Sequence, residues 1–406
     1  MASAAYFIAP VHNALRAGCG SPQSAKQRGT LRTRRIYYCQ WARAVGLGDD
    51  LLLDGPHITQ ERRLWQFVLF ATHLMSGSNF FNKRVTSQTI KGYLLAAASM
   101  VALASGFDPR KSDPTSTSLF PILANLLAEY EKWEALPNRA EPFTVQMQEV
   151  LDSEIASHDH GPDSIQQATA DWTALGLRVG YRISEYAQTE DAQRTVGEHA
   201  RDPLYTEDCV AFGIEDVTFT LNKKTVLMSA IVHAPSVTAA WNLCDNAQLR
   251  FGIQKNGDRN QKLDYAKSSG RKLYCAVFRL VCIVRRFHRL VGIDTHKVPI
   301  SVYLSTSGDV YNIVRKDMNN TVKFAAIRAY QLDPIADKKF IEAFRSHSIR
   351  VGACNILYGN GVAVTIIKAR LRWKSEAFMV YFRNIGAVSH VQSLAIEEAI
   401  QHPELF

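Results

Sequence analysis

The chain lacks any apolar run approaching the roughly 20 residues that span a bilayer. Its most apolar helical stretch, residues 275–291, is interrupted by Arg279, Arg285, Arg286 and Arg289, so no membrane-embedded protein is expected. Cysteine is scarce and unpaired: the seven residues are scattered singly, without a CxxC pair or a Cys–His cluster at ligand spacing, which argues against zinc and against a disulfide framework. Walker-type glycines, carboxylate clusters, internal repeats and low-complexity tracts are missing as well. Acid is absent from the first 48 residues, and residues 1–50 carry seven basic side chains against Asp49 and Asp50 alone.

What is present describes an ordinary globular chain, 47% hydrophobic and 21% charged. Its 406 residues exceed what one core usually organises, so two domains are expected. Lysine and arginine outnumber aspartate and glutamate by 47 to 38, and a net charge of +9 favours a nucleic acid or an anionic membrane surface as partner, while also suiting a soluble basic enzyme. The acid-free front end has the composition of an organelle transit peptide. Against that, Arg34 to Val45 (RRIYYCQWARAV) spaces its apolar residues as a folded helix does.

The pattern from residue 30 to about 134 is helical throughout. Ile58 to Met75 and Thr86 to Ser105 form apolar-faced segments, and a third helix runs from Leu119 to Leu136, ahead of Pro137. PNRAEPFT, residues 137–144, holds two prolines and no periodicity, so the interdomain linker is placed there. Beyond it the pattern is mixed: helix near 163–188, strands near 209–220 and 247–255, helix near 275–291, then further helices. The organisation expected is a basic arm over 1–29, a helical bundle over 30–136, an α+β domain over 145–385 and a C-terminal helix over 386–406.

Three segments of the second domain carry candidate chemistry. Leu175 to Tyr186 (LGLRVGYRISEY) sets Arg178, Arg182 and Glu185 in apolar surroundings; either arginine has the spacing to face a phosphate, and Arg182 with Glu185 also has the spacing of an ordinary surface ion pair. His347 and Arg350 form an HxxR pair on one helical face, before a helix rich in small residues that stops at Gly359-Asn360-Gly361. In Leu371 to Arg383 (LRWKSEAFMVYFR), Trp373 precedes a serine that can cap a helix bearing Phe378, Tyr381 and Phe382, which alone has the spacing of a core face.

Taken in order, Gly-x-Arg-x-Ser-Glu, then His-x-x-Arg, then Arg-Trp with Tyr eight residues after the tryptophan resembles the catalytic signature of the tyrosine recombinase (phage integrase) family. HSIRVGACNILYGNG and RLRWKSEAFMVYFRN are similar, within that family, to integrases of eukaryotic mobile elements of the crypton and DIRS groups. The resemblance implies a helical, SAM-like core-binding domain followed by a mixed α+β catalytic domain with a small antiparallel sheet. It makes Arg182 and Arg350 the phosphate-clamping arginines, His347 the histidine beside the second, Trp373 the occupant of a position that is histidine in many members, and Tyr381 the nucleophile. Glu185 becomes the partner that supports Arg182. The family's hairpin lysine falls on Lys255, next to an Asn-Gly turn, with Lys262 and Lys267 nearby. The connection Asn222 to Asn246 is longer and more apolar than a tight hairpin, a departure from the family pattern.

The implied chemistry is cleavage and rejoining of DNA through a 3′-phosphotyrosine, with neither metal nor other cofactor. Arginine forks match non-bridging phosphate oxygens, His347 assists proton movement, Trp373 offers its indole N–H, and Lys255 protonates the departing 5′-oxygen. The partner is double-stranded DNA, held by both domains chiefly through phosphates. Lys83, Arg84, Thr86, Gln88 and Lys91, near a helix start, are candidates for the groove, or equally for a solvated polar face. The C-terminal segment, VSHVQSLAIEEAIQHPELF, is apolar enough to need a groove; the resemblance places it on a neighbouring protomer of a synaptic homo-tetramer, the free protein being a monomer or dimer, and docking within its own chain is the alternative. Nuclear localisation is expected in a eukaryotic host and the nucleoid otherwise. Two rival functions remain: a domesticated, non-cleaving DNA-binding protein of the same fold, and a type IB topoisomerase-like enzyme.

Overall fold

The computed structural model describes residues 25–47, 52–53, 57–77, 79, 81–113, 116, 118–134, 139–187, 195–196, 211–253, 259–293 and 298–373. The chain divides into two compact units, Met1–Pro137 and Asn138–Phe406.

The first unit contains α1 (Ala25–Ala44), α2 (Gln60–Met75), α3 (Ser87–Ser105) and α4 (Pro121–Lys132). The starts of α2 and α3 follow from their caps, because the Thr59 and Thr86 side chains accept from the Arg62 and Thr89 amides that a helix leaves unpaired. Gly106, left-handed at φ 75°, stops α3. Pro121 sits in the first turn of α4, where its missing N–H costs nothing, so that helix is shorter than the periodicity from Leu119 suggests. Tyr38, Trp41, Phe67, Phe70, Leu94, Met100, Leu123 and Leu127 are buried together as its core.

The second unit begins with α5 (Val145–Ser157) and α6 (Ile165–Val179), followed by a single-turn α7 (Ile183–Tyr186). The helix expected over 163–188 is therefore broken, because Gly180 at φ 60° ends α6 and turns the chain. Strands β1 (Val217–Leu221), β2 (Lys224–Val226), β3 (Asn246–Ile253) and β4 (Arg259–Ala266) form an antiparallel sheet in the order β2-β1-β3-β4. The long connection from Asn222 is thereby explained. Asn222 and Lys223, both at positive φ, make the two-residue turn into β2, and the short helices α8 (Met228–Val232) and α9 (Val237–Asn242) follow before β3. β4 escaped the sequence pattern because RNQKLDYA is apolar only at Leu263 and Tyr265, on its inner face, and at the exposed Ala266 that ends it.

Helix α10 (Ala276–Leu290) comes next, then the two-stranded pair β5 (Val302–Leu304) and β6 (Val310–Asn312). The chain continues through α11 (Arg315–Tyr330), α12 (Lys338–Ile341), α13 (His347–Gly359) and α14 (Val364–Leu371). The core is mixed, as expected of a helical bundle joined to an α+β domain with a small antiparallel sheet: Trp172, Leu175, Phe219, Leu249, Val281, Ile283 and Met318 share one cluster. A buried ionic knot crosses it. Arg279 donates to Asp171 (2.8 Å) and to both oxygens of Asp152 (2.8 and 2.9 Å), while Arg286 pairs with the other oxygen of Asp171 and with the Pro162 carbonyl. These bonds lock α5, α6 and α10 together. No described helix is long and apolar enough to cross a membrane.

Candidate active site

The site is assembled where three glycines let neighbouring segments approach closely. A Cβ at Gly176 would collide with Ile349 of α13, one at Gly352 with the Phe143 carbonyl, and one at Gly180 with Leu371 at the end of α14. These approaches bring α13 against α6 and carry the end of α14 over the Gly180 turn. The left-handed glycine also aims its own carbonyl at α13.

Arg182 is the N-cap of α7. Its backbone N–H donates to Glu185 Oε2 (2.7 Å) and its Nη1 to Glu185 Oε1 (2.9 Å), so one carboxylate fixes both ends of the residue. Glu185 is buried and takes a third bond, from Arg372 Nη2 at 2.8 Å. Arg182 Nη2 in turn reaches the Arg372 carbonyl at 3.4 Å. The Arg182–Glu185 pair is part-buried and shared with Arg372.

Arg350, 2% exposed, donates from Nη1 to the Gly180 carbonyl and from Nη2 to the Leu371 carbonyl. Its guanidinium lies 4.6 Å from the centre of the Trp373 ring, close enough for cation–π attraction. Trp373 therefore meets Arg350 through its face. His347 stands one turn before Arg350 on α13, and burial, then Arg350, Arg345 and Arg182, push its imidazole down to about 4. It is neutral at pH 7 and able to accept a proton. Arg182, Arg350 and Arg372 against the single carboxylate of Glu185 leave an excess of two positive charges.

The floor is aromatic. Trp172 stacks on Tyr186 at 5.0 Å, Tyr181 meets Tyr186 at 4.3 Å, and Phe212 meets Phe251 edge-on at 5.0 Å. The Arg372 guanidinium lies 3.7 Å from the Phe251 ring centre. Burial pulls the Arg372 guanidinium below its usual value, and Glu185 opposes that.

The remaining candidates are distributed as follows. Arg178 is exposed and spends its Nε on the Tyr274 carbonyl at 2.9 Å, so it does not join Arg182 and Arg350. Lys255, between the paired residues Ile253 and Arg259 in sequence, and Tyr381, beyond Trp373, both lie outside the described residues. Lys262 is exposed on β4 opposite Arg250. Lys267 covers the Trp241 ring at 3.8 Å and donates to its carbonyl at 3.1 Å. In the first unit Lys83, Arg84 and Gln88 are exposed, whereas Thr86 caps α3 and Lys91 pairs with Glu131 at 2.9 Å.

Arg372 and the Asp152–Asp171–Arg279–Arg286 knot had no assigned part in the sequence reading. A signal for the knot existed: Arg279 and Arg286 are seven residues apart, on the apolar face of an amphipathic helix, and Asp171 interrupts an apolar run.

No family model matches the chain, and no curated protein does. Among solved structures it is similar to the Tn1549 transposon integrase in complex with transposon right end DNA, with a TM-score of 0.39 and 13% identity over 89% of this chain and 99% of that one. A second structure of that integrase, in complex with circular intermediate DNA, gives a TM-score of 0.39 and 12% identity over the same shares. Likeness of this degree leaves the functional conclusion to the residues of the site.

Proposed function

We propose that this protein is a DNA strand transferase of the tyrosine recombinase type, cleaving and rejoining duplex DNA through a covalent 3′-phosphotyrosine at Tyr381. One observation carries the reading. Arg182 and Arg350, distant in sequence, both bond to main-chain carbonyls of a single turn, Leu371 to Trp373, with a neutral histidine beside them. A phosphodiester has one negative charge and gains more as it is attacked, so paired guanidinium forks in a partly buried site answer the developing charge. The motif likeness to integrases of crypton and DIRS elements points the same way.

In the proposed reaction, the phenol of Tyr381 loses its proton toward His347 as its oxygen attacks phosphorus. The bond from phosphorus to the 5′-oxygen breaks, and Lys255 supplies the proton that the leaving oxygen takes up. The reverse attack by another strand's 5′-hydroxyl restores a phosphodiester and frees the phenol, so bond energy is conserved without a nucleotide. Arg182 and Arg350 hold the non-bridging oxygens, and Trp373 confines Arg350.

Assembly on DNA would use the C-terminal segment, residues 386–406, as the link between protomers of a tetramer. A pocket of about 500 Å³ in the second unit, whose walls include Ala174, Leu177, Ile356, Arg178, Arg271 and Arg370, suits apolar side chains of that segment, which also carries Glu397, Glu398 and Glu404. DNA itself would be held through phosphates, with Lys83, Arg84 and Gln88 in the groove.

The test is incubation, without divalent metal, with nicked suicide duplexes built from the DNA that flanks the coding sequence. A protein–DNA adduct that disappears in Tyr381→Phe is expected. An adduct that persists in that variant refutes the nucleophile, and binding without any adduct favours a non-cleaving DNA-binding protein of the same fold.

A further inference from the structure

Arg372 occupies a backbone position that its side chain makes costly. It follows α14 in the left-handed region, φ 57° and ψ 48°, where glycine is the usual residue. Its side chain is nonetheless fully buried, 2.8 Å from Glu185 Oε2 and 3.7 Å from the centre of the Phe251 ring. Arg372 and its two chain neighbours hold the rest of the site: Leu371 gives its carbonyl to Arg350, Arg372 its carbonyl to Arg182, and Trp373 its ring to Arg350.

A buried carboxylate with a single cationic partner draws that partner in and cancels its charge. Glu185 has two cationic partners, on different oxygens: Oε1 meets Arg182, and Oε2 meets Arg372 and the Arg182 backbone. With Arg372 in place, the carboxylate orients Arg182 without neutralising it. Resting on the strand-transferase reading above, we propose that Arg372 is a positioning residue, which acts through Glu185 to aim Arg182 at the scissile phosphate and to keep its positive charge available.

Full-length wild type, R372G, R372K, E185Q and the double variant E185Q/R372G are compared on the nicked duplex that yields the wild-type adduct. DNA affinity, the single-turnover cleavage rate and the melting temperature are measured for each. R372G suits the left-handed backbone and removes only the side chain, so folding is preserved where Ala or Met would strain it. Its cleavage rate should fall about 10- to 100-fold, as misplacement of a catalytic group does, with DNA affinity changed less than about threefold. R372K should recover part of the rate, and R372G should cost nothing further once E185Q is present, because the two act in series. Cleavage by R372G at the wild-type rate, or additive losses in the double variant, overturns the proposal. Absence of an adduct from wild type instead refutes strand transfer itself; coupling between E185Q and R372G in melting temperature would then mark the triad as purely structural and end the positioning role too.

Discussion

The acidity of His347 gives the site its sharpest physical test. In an unfolded chain its imidazole titrates near 6.5, and in the folded protein burial and the charges of Arg350, Arg345 and Arg182 push it down to about 4. Protonating it in the folded state is therefore about 300-fold harder, worth about 3 kcal/mol when fully expressed. The depressed value means that the unfolded chain binds more protons between these limits. Stability is unaffected above pH 6.5, falls as pH drops through the interval, and levels out below about 4. At pH 4.5 the penalty from this one residue should lie between about 2 and 3 kcal/mol. Urea unfolding of wild type and His347→Gln at pH 7 and pH 4.5 reads it out, since the variant carries no titrating group there. Wild type should lose that much more stability than the variant on acidification, and an NMR titration should place the imidazole near 4 in the DNA-free protein. Equal acid losses in both proteins, or an imidazole titrating at 6.5, would refute the picture of a half-buried histidine facing three guanidinium groups.

Asp171→Asn should destabilise the second unit by about 3–5 kcal/mol in urea, because it strips Arg279 and Arg286 of their shared buried carboxylate; a loss under about 1 kcal/mol would contradict the knot. Gly352→Ala drives a methyl group into the Phe143 carbonyl and should cost about 1–3 kcal/mol, with adduct formation reduced as α13 is displaced; an unchanged urea midpoint would show that α13 is not so tightly seated. Lys83→Ala with Arg84→Ala should lower the slope of log affinity against log salt by about 2 if both reach phosphates, while Lys91→Ala, already paired with Glu131, should change it less; an unchanged slope in the double variant removes this face from the DNA interface.

Much of the architecture was legible because apolar spacing and punctuation are local signals. Thr86 marked a helix start, and the Asn222 to Asn246 stretch stood out as too long for a tight hairpin. The motifs named Arg182, Glu185, His347, Arg350 and Trp373 as a set, and their order along the chain says nothing about how they meet. Local pattern was weakest where polar residues served tertiary ends. β4 is mostly polar because only one face is covered, and the 163–188 helix reads as continuous because a left-handed glycine is not distinguishable from a helical one by composition.

The sequence by itself determined which chemistry-bearing side chains exist, their helical faces and the positive charge they bring, since these depend on residue type and on spacings of three to seven residues. Only the tertiary structure decided that Glu185 is shared between Arg182 and Arg372, that Arg178 is spent on the Tyr274 carbonyl, and that His347 is held neutral. Such outcomes depend on which distant segments are pressed together and how much water they exclude, and glycine positions such as Gly176, Gly180 and Gly352 govern that approach through contacts that have no local signature.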